Sequence, residues 1–183
     1  MVGDGHMIHF YHKNIIGYEN RPHDFNELII TNWKSMVTAD DLIIHLGDVI
    51  FAQAGRLYDI LTVCPGKKIL CRGNHDYEKE QWYKNKGFAE VYKHYVLGDI
   101  LFSHKPMNIE EFEETHGIKI RYNIHGHFHS KIRSDRSEST RGDIEGRRPD
   151  DYPFYSKKHL RLSIEEEDYK PVLLEEFIKR HEI

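Results

Sequence analysis

Apolar residues recur along the chain at two different spacings, and the spacing separates predicted helices from predicted strands. Between residues 22 and 37 they recur three or four positions apart, which predicts an amphipathic helix with one apolar face. Short apolar runs predict strands at residues 42–46, 68–71, 91–96, 99–102, 118–124 and 160–164. Further helices are predicted over residues 54–63, 78–86, 109–116 and 173–180. Such alternation of helices and strands is typical of a layered α/β fold.

Glycine and metal-ligating side chains follow four of the predicted strands. The segments are Gly47-Asp48, Gly73-Asn74-His75-Asp76, Ser103-His104-Lys105-Pro106 and His125-Gly126-His127-Phe128-His129. Glycine adopts φ values that other residues avoid, so the chain can turn sharply there and approach an ion closely. Because ligands of open α/β sheets bind at the carboxyl ends of the strands, we expect the four loops to converge on one crevice.

The donor atoms in these loops are imidazole nitrogen, carboxylate oxygen and amide oxygen, which suit Mn, Fe, Zn or Ni. A carboxylate such as Asp48 can bridge two cations, and metals about 3.5–4 Å apart are typical of enzymes that hydrolyse phosphate esters. A single Gly-Asp or Ser-His-Lys-Pro segment is commonly only a turn. The four segments together favour a binuclear metal site.

The order Gly-Asp, Gly-Asn-His-Asp, Ser-His-Lys-Pro, Gly-His-Phe-His resembles the calcineurin-like metallophosphoesterases, from about His9 to the C-terminus. The stretches His9 to Ile16 and Tyr169 to Val172 look like a small bacterial, archaeal and phage subgroup of that family. The resemblance implies one α/β domain over residues 1–183, with two β-sheets flanked by helices in a four-layer sandwich. It also implies a metal-dependent hydrolase that cleaves a phosphate mono- or diester by attack of a metal-bound hydroxide.

The resemblance further implies the roles of individual residues. The first metal would be bound by His9, Asp48 and His129, and the second by Asp48, Asn74, His104 and His127. Both would be divalent transition metals, with Mn expected first and Fe, Zn or Ni as alternatives. His75 would be the general acid that protonates the leaving group, and Asp76 would orient its ring. His12 and Arg72 are further candidates for contact with the phosphate.

One ligand of the family pattern is missing from this sequence. The family opens with a strand that ends in Asp-x-His, but aligning His9 with that histidine places Met7 at the aspartate position. A thioether does not replace a hard anionic ligand. Three interpretations stay open: a true loss of the ligand, a local rearrangement that brings in Asp4, and an altered start or added leader. The composition of residues 1–8, with two glycines, also argues against a strand.

Two other functions stay open beside a general phosphoesterase. A nuclease or a cyclic-nucleotide phosphodiesterase would use the same loops on a different leaving group. A metal-binding regulatory module, with activity reduced by the loss of the aspartate at Met7, is an alternative from a different class.

Composition and charge narrow the expected partners and location. Of the 183 residues, 39% are hydrophobic and 31% charged, as in a globular domain, and the net charge of −4 argues against a general polyanion-binding surface. A small phosphate ester or nucleotide is therefore the expected substrate, and nucleic acid is less favoured. Cys64 and Cys71 are expected to be free thiols in a reducing cytoplasm. No apolar run reaches the ~20 residues of a membrane span, so no membrane partner is expected; the oligomeric state is not indicated.

Residues 130–152 and several histidines outside the four loops receive simpler interpretations. Residues 130–152 are polar and charged, which predicts a flexible surface loop, although its arginines also allow a lid over the substrate. His45 is predicted to be a core histidine, and His125 to support the site rather than bind metal. Solvated surface positions are predicted for the remaining histidines: His23, His94, His116, His159 and His181.

Overall fold

The structure of this protein, a computed structural model, describes residues 5–8, 22, 24–49, 61–127 and 152–182, and only the backbone of residues 5–8. Most of the predicted helix over residues 54–63 and nearly all of the predicted loop over residues 130–152 lie outside these ranges. The single-domain organisation of the whole chain therefore stays a prediction.

The strands of the described residues form two sheets. Sheet A has the order β4-β3-β2-β1-β9, and its strands are β1 (Gly5–Ile8), β2 (Leu42–His45), β3 (Lys67–Cys71), β4 (Glu90–Tyr92) and β9 (Val172–Leu173). Sheet B has the order β5-β6-β7-β8, and its strands are β5 (His94–Leu97), β6 (Ile100–Ser103), β7 (Tyr122–His125) and β8 (His159–Arg161). Neighbouring strands are parallel from β1 through β4 in sheet A and from β6 through β8 in sheet B. The edge strand β9 pairs antiparallel with β1, and the edge strand β5 pairs antiparallel with β6.

Four helices lie wholly within the described residues and connect or cover these strands. They are α1 (Phe25–Met36), α2 (Glu80–Asn85), α3 (Ile109–His116) and α4 (Leu174–His181). Helix α3 begins where the side chain of Asn108 accepts a hydrogen bond from the Glu111 amide, and it ends at Gly117, whose φ of +68° few other residues adopt. The helices predicted over residues 22–37, 78–86, 109–116 and 173–180 occur within a few residues of those bounds. The prediction of one strand over residues 91–96 is wrong, because the chain passes there from β4 of sheet A to β5 of sheet B.

The alternation of side chains along each strand divides the core into layers. Ile44 and Cys71 of sheet A pack with Phe102 of sheet B between the two sheets. On the opposite face of sheet A, Ile43 packs against α1, and on the opposite face of sheet B, Leu101 packs against α3. Burial of each such side chain stabilises the fold by roughly 1.5–3 kcal/mol. The mixed α/β class with two sheets is confirmed, and the complete four-layer order stays a prediction.

Strand β1 corrects one expectation from composition. Residues 5–8 pair with β2 on one side and with β9 on the other, with Met7 between Ile44 and Val172. The composition of residues 1–8 argued against a strand, and for residues 5–8 that expectation is wrong. Two flanking strands supply backbone partners for this segment, and such tertiary context overrides weak intrinsic strand propensity.

Strand β7 starts later than its apolar pattern indicates. Ile118 is exposed, while Ile120 is buried beside α3 and its amide donates to the carboxylate of Glu113. The segment before Tyr122 thus fills the space under a helix instead of extending the sheet. Strand β8 is likewise shorter than predicted, since turns occupy residues 164–169.

The two cysteines are buried and their thiols are free, as predicted. Burial raises the pKa of Cys64 to about 11 and that of Cys71 to about 12, so both thiols stay protonated. No helix in the described part of the chain has the length and hydrophobicity of a membrane span.

Candidate metal centre

The carboxyl ends of strands from both sheets meet at one buried cluster. Asp48 follows β2, His104 follows β6 and His127 follows β7, and these three side chains are buried. One ligand atom of each lies within 4.8 Å of the other two. Residues separated by up to 79 positions in the sequence are therefore brought within the reach of a single ion.

The ring of His104 lies at the centre of this cluster. Its Nδ1 lies 2.7 Å from the carbonyl oxygen of Leu46, so Nδ1 donates and carries the proton. Its Nε2 lies 2.9 Å from Asn74 Oδ1, 3.1 Å from His127 Nδ1 and 3.2 Å from Asp48 Oδ2.

This donor set fits a divalent cation. The His104 Nε2 faces Asn74 Oδ1 and Asp48 Oδ2, so a cation placed among these atoms would be bound by one nitrogen and two oxygen atoms. A backbone carbonyl that accepts from the other ring nitrogen is the usual support of a metal-binding histidine. The structure thus brings together Asp48, Asn74, His104 and His127, the set expected at the second metal, and their roles as ligands stay predictions.

Unusual backbone conformations occur at two residues of the cluster. Asp48 has φ of +54° and His127 has φ of +67°, in the left-handed region that non-glycine residues rarely adopt. A Cβ on Gly73 would lie 2.0 Å from Asp48 Oδ1, so only glycine fits between the loops after β2 and β3. Strained backbone of this kind persists where surrounding contacts enforce it, and it is common at functional sites.

The carboxylate of Asp76 joins the two loops of sheet A. Its Oδ2 accepts from the amides of Asp48 at 2.8 Å and Gly73 at 2.7 Å, and its Oδ1 accepts from the amide of Val49 at 3.0 Å. Burial nevertheless raises the pKa of Asp76. The Asp76 carboxylate thus accepts from three backbone amides, and its expected role in orienting the His75 ring stays a prediction.

The ring of His75 has a different neighbour. Its Nδ1 lies 3.0 Å from the hydroxyl of Tyr77, and the His75 amide donates to Asp48 Oδ1 at 2.9 Å. Arg72, a candidate phosphate contact, donates instead to the carbonyl oxygens of Asp76 and Glu78 at 2.6 and 2.7 Å. These bonds tie the Arg72 guanidinium to the loop after β3.

Sheet B supports its loops with neutral side chains. Asn123 is fully buried; its amide group donates to Leu101 O and Ser103 Oγ, and its Oδ1 accepts from the Met107 amide at 2.8 Å. His159 Nε2 lies 2.9 Å from the carbonyl oxygen of Met107. The N–H and the carbonyl group of Met107 are therefore both hydrogen-bonded, which fixes the loop that contains His104.

The sequence interpretation missed Asn123 and assigned His159 to the solvated surface, which is wrong because His159 is buried. The signal for Asn123 was a polar residue inside an apolar strand next to a predicted ligand loop. Nothing in the sequence around His159 indicated its partner, since Met107 lies 52 residues away.

Two further histidines are buried and neutral, as expected. Burial lowers the pKa of His45 to about 3, and its Nδ1 accepts from the Gly47 amide at 3.1 Å. Burial also lowers the pKa of His125 to about 3, and its ring bonds Gly126 O at 2.9 Å and the Tyr155 hydroxyl at 3.0 Å. Each ring braces the turn that precedes a candidate ligand, Asp48 or His127.

The remaining candidates, His9, His12, His129 and Asp4, lie outside the described residues. Strand β1 ends at Ile8, which pairs with His45, three residues before Asp48. The expected roles of His9 and His129, and the open alternative of Asp4, stay predictions.

Comparison with known proteins gives relatives without an assigned function. No family model matches the chain. The uncharacterised protein MJ1445 of Methanocaldococcus jannaschii is 28% identical over 180 residues, which are 93% of this chain and 85% of that protein. The crystal structure of the protein of unknown function AQ665 from Aquifex aeolicus matches with a TM-score of 0.68 and 26% identity over 97% of this chain and 99% of its own. That likeness supports the fold of the described residues.

Two solved enzyme structures match less closely. The nuclease MPE of Pseudomonas putida has a TM-score of 0.48 and 20% identity, over 68% of this chain and 61% of its own. A novel archaeal phosphodiesterase has a TM-score of 0.45 and 14% identity, over 70% of this chain and 75% of its own. At such TM-scores neither likeness carries an argument for the function of this chain.

Proposed function

We propose that this protein is a metal-dependent phosphoesterase that hydrolyses a phosphate mono- or diester at a binuclear site of two divalent transition metals, Mn first among them. The observation that supports the proposal is the buried convergence of Asp48, His104 and His127 within 4.8 Å, with Asn74 Oδ1 at 2.9 Å from His104 Nε2. One carboxylate, one amide and two imidazoles form a donor set that suits Mn, Fe, Zn or Ni.

Two ions bound there would supply an activated water and offset the charge of the phosphoryl oxygens. The protein contributes fixed positions for the donor atoms. Leu46 O accepts from His104 Nδ1, and Asp76 accepts from the amides of Asp48 and Val49, which anchors the backbone on both sides of the left-handed Asp48. His9 and His129 are proposed as the other ligands of the first metal, beside Asp48.

His75 is proposed as the general acid. Its amide donates to Asp48 Oδ1, so the residue adjoins the candidate ligands, and it is only partly buried. A partly exposed imidazole beside the metals can reach a bound ester and give a proton to the departing oxygen. Asp76, expected as a catalytic residue, acts in this proposal through the backbone amides it binds.

The test is hydrolysis of p-nitrophenyl phosphate and bis-p-nitrophenyl phosphate by chelator-treated protein with and without added Mn²⁺. Turnover that requires Mn²⁺ is expected, and the preferred substrate separates a monoesterase from a diesterase. A nuclease or cyclic-nucleotide phosphodiesterase would cleave the diester and also a nucleic acid or a cyclic nucleotide.

Asp48→Asn is the variant that tests the site. It keeps an acceptor for the His75 amide but removes the negative charge, so we expect at least about 100-fold loss of kcat/KM, since even supporting residues of metal sites are worth 10–100-fold. Asp40→Asn, at an exposed turn, is the matched control and should keep the wild-type rate. Equal rates for wild type and Asp48→Asn would contradict the proposal.

A metal-binding regulatory module is the second candidate, and one observation favours it. Met7 stands in β1, two residues before His9, where a carboxylate would be expected in the family pattern. Such a module would bind Mn²⁺ without turnover of either ester. Met7→Asp separates the two functions, because restored activity would identify an impaired phosphoesterase.

A further inference from the structure

Three aromatic rings join the last turns of α3 to strand β5. On α3, Phe112 and His116 stack with their ring centroids 4.0 Å apart. The ring of His94 in β5 meets both at steep angles, at 5.0 Å from Phe112 and 5.9 Å from His116. Phe112 is buried together with Leu101 of sheet B. The partly buried ring of His94 is therefore part of the contact that packs α3 on the sheet.

The Nδ1 atom of His94 is buried and has no hydrogen-bond partner among the described residues. A neutral imidazole with its proton on Nε2 leaves only a lone pair at that position. A protonated ring would place an N–H group there without an acceptor, and a buried donor without a partner is costly, more so when it carries charge. The packing of α3 on β5 therefore favours the neutral form of His94.

The charges near His94 oppose its protonation as well. Burial lowers the pKa of His94, and the charges of His116 on α3 and of Lys93 beside it lower that pKa further. His116 lies in the last turn of its helix, where a positive charge is favourable. Mild acid therefore charges His116 readily and places a like charge beside His94.

Neither neighbouring element supplies a negative partner for His94. On α3, the carboxylate of Glu113 accepts from the ammonium of Lys119 and from the Ile120 amide. On β6, the residue opposite His94 is Ser103, whose side chain is neutral. In the part of the chain that the structure describes, no carboxylate forms an ion pair with His94.

Helix α4 ends in the same way as α3 but lacks the third ring. His116 Nδ1 donates to Phe112 O at 2.9 Å, and His181 Nδ1 donates to Phe177 O at 2.8 Å, so each imidazole contacts the phenyl ring four residues earlier. Within the described ranges, a second imidazole lies against this pair only in α3. Acid should therefore weaken the packing of α3 more than that of α4.

We propose that His94 is a pH-sensitive latch, in which the neutral ring holds α3 on sheet B and its protonation in mild acid releases the helix. A histidine freed from the contact binds its proton near the ordinary pKa of about 6.5, whereas the packed ring binds it only at lower pH. The released state therefore binds more protons, and the packed state loses stability as the pH falls below about 6.5.

Release of α3 would also reach the candidate metal centre. The loop that contains His104 leads directly into α3, which begins after its N-cap residue Asn108. Loss of the helix packing would remove the support at one end of that loop. This consequence rests on the function proposed above, whereas the latch itself does not.

Amide hydrogen exchange of chelator-treated protein tests the latch, with α4 as the reference in the same molecule. Exchange is followed from about pH 7.5 to about pH 5.5, on both sides of the ordinary histidine pKa, and is corrected for the intrinsic rate at each pH. We expect the protection of α3 to fall at least about fivefold relative to that of α4, the lower end of typical coupling between two sites. Equal changes in the two helices would overturn the proposal.

Two variants separate His94 from the other histidines. His94→Phe removes the titrating group and keeps an aromatic ring against Phe112, so α3 and α4 should change by similar factors over the same pH range. A fall in α3 protection as large as in wild type would assign the acid response to another histidine and overturn the proposal. His181→Phe is the matched control on α4 and should keep the wild-type response of α3.

NMR titration of the wild-type histidine rings gives a decision even where His94→Phe fails to fold. The His94 signals are assigned through bonds in ¹³C,¹⁵N-labelled protein. We expect the His94 ring to titrate below the ordinary value of about 6.5, and a midpoint at or above that value would overturn the proposal. Absence of phosphoester hydrolysis by wild type would contradict the proposed function instead, since neither measurement requires metal or substrate.

Discussion

The two halves of the candidate site are held in place by different means. On sheet A, one buried carboxylate, Asp76, accepts from backbone amides of two loops, and Gly73 allows them to touch. On sheet B, the neutral side chains of Asn123 and His159 form hydrogen bonds with the backbone of Met107, although they lie 16 and 52 residues from it in the sequence. The first half depends on charge and close backbone contact, and the second on a network of neutral hydrogen bonds.

This difference predicts how each half responds to substitution. A charged acceptor shared by several amides concentrates much stabilisation in one residue, because hydrogen bonds to charged groups contribute about 1.5–3 kcal/mol each. Neutral hydrogen bonds contribute about 0.5–1.5 kcal/mol each, so the loss is spread over several residues. Variants of the sheet A half should therefore have the larger effects.

The largest effect on stability is expected for Asp76→Asn. The amide that replaces one carboxylate oxygen has no lone pair for the amides of Asp48, Gly73 or Val49, so at least one buried N–H loses its acceptor. We expect a loss of about 3–4 kcal/mol in the free energy of unfolding of the chelator-treated protein, measured by urea denaturation. Asp99→Asn, at the exposed hairpin turn between β5 and β6, is the control and should change it by less than about 0.5 kcal/mol. Similar values for both variants would break the comparison on the sheet A side.

Gly73→Ala should have the next largest effect. Its Cβ would lie 2.0 Å from Asp48 Oδ1, so the loops must separate, at an overpacking cost of about 2–3 kcal/mol. The rate should also fall, by about tenfold or more, because the displaced atom belongs to a candidate ligand. Gly98→Ala is the matched control, since open space surrounds Gly98 and only its φ of +61° is strained. Gly98→Ala should lose stability, about 1–2 kcal/mol, and keep its full rate.

Asn123→Ala tests the sheet B half. The substitution leaves Leu101 O, Ser103 Oγ and the Met107 amide without this partner, and we expect a loss of about 2 kcal/mol in thermal or urea unfolding. Asn85→Ala, at an exposed position in α2, serves as control. A loss that exceeds the one found for Asp76→Asn would reverse the comparison between the halves.

The smallest effect is expected for Tyr155→Phe. The variant keeps the ring and removes one hydrogen bond to His125 Nε2, which should cost about 1 kcal/mol and leave the fold intact. Tyr122→Phe is the control, because the Tyr122 hydroxyl makes no hydrogen bond among the described residues. Equal unfolding free energies for the two variants would show that the Tyr155 hydroxyl does not brace His125.

The sheet A half could be predicted from sequence because its elements are local. Gly47, Asp48 and Gly73 stand directly after apolar runs, so strand ends and sharp turns mark them. The role of Asp76 could not be predicted, since its partners Asp48 and Val49 lie on another loop, 28 and 27 residues away. The position of Asp76 next to His75 in the sequence gave no sign of the backbone amides from which its carboxylate accepts.

The sheet B half shows the opposite limit. His104 and His127 were identified by their motifs, but Asn123 and His159, which support the His104 loop, come from the strands β7 and β8. A polar residue within an apolar run does not reveal which backbone group it will bond. Strand β1 illustrates the same limit for the fold, because Gly5 to Ile8 become a strand through pairing with β2 and β9 rather than through composition.

The central claim is that Asp48, Asn74, His104 and His127 bind a divalent metal. Elemental analysis of the protein after Mn²⁺ loading and desalting tests it most directly, with His104→Gln measured in parallel and His116→Gln as an exposed control. The account predicts stoichiometric manganese in wild type and in His116→Gln, and its loss in His104→Gln. Wild-type protein that retains no stoichiometric manganese, or a His104→Gln variant that retains as much as wild type, would contradict it.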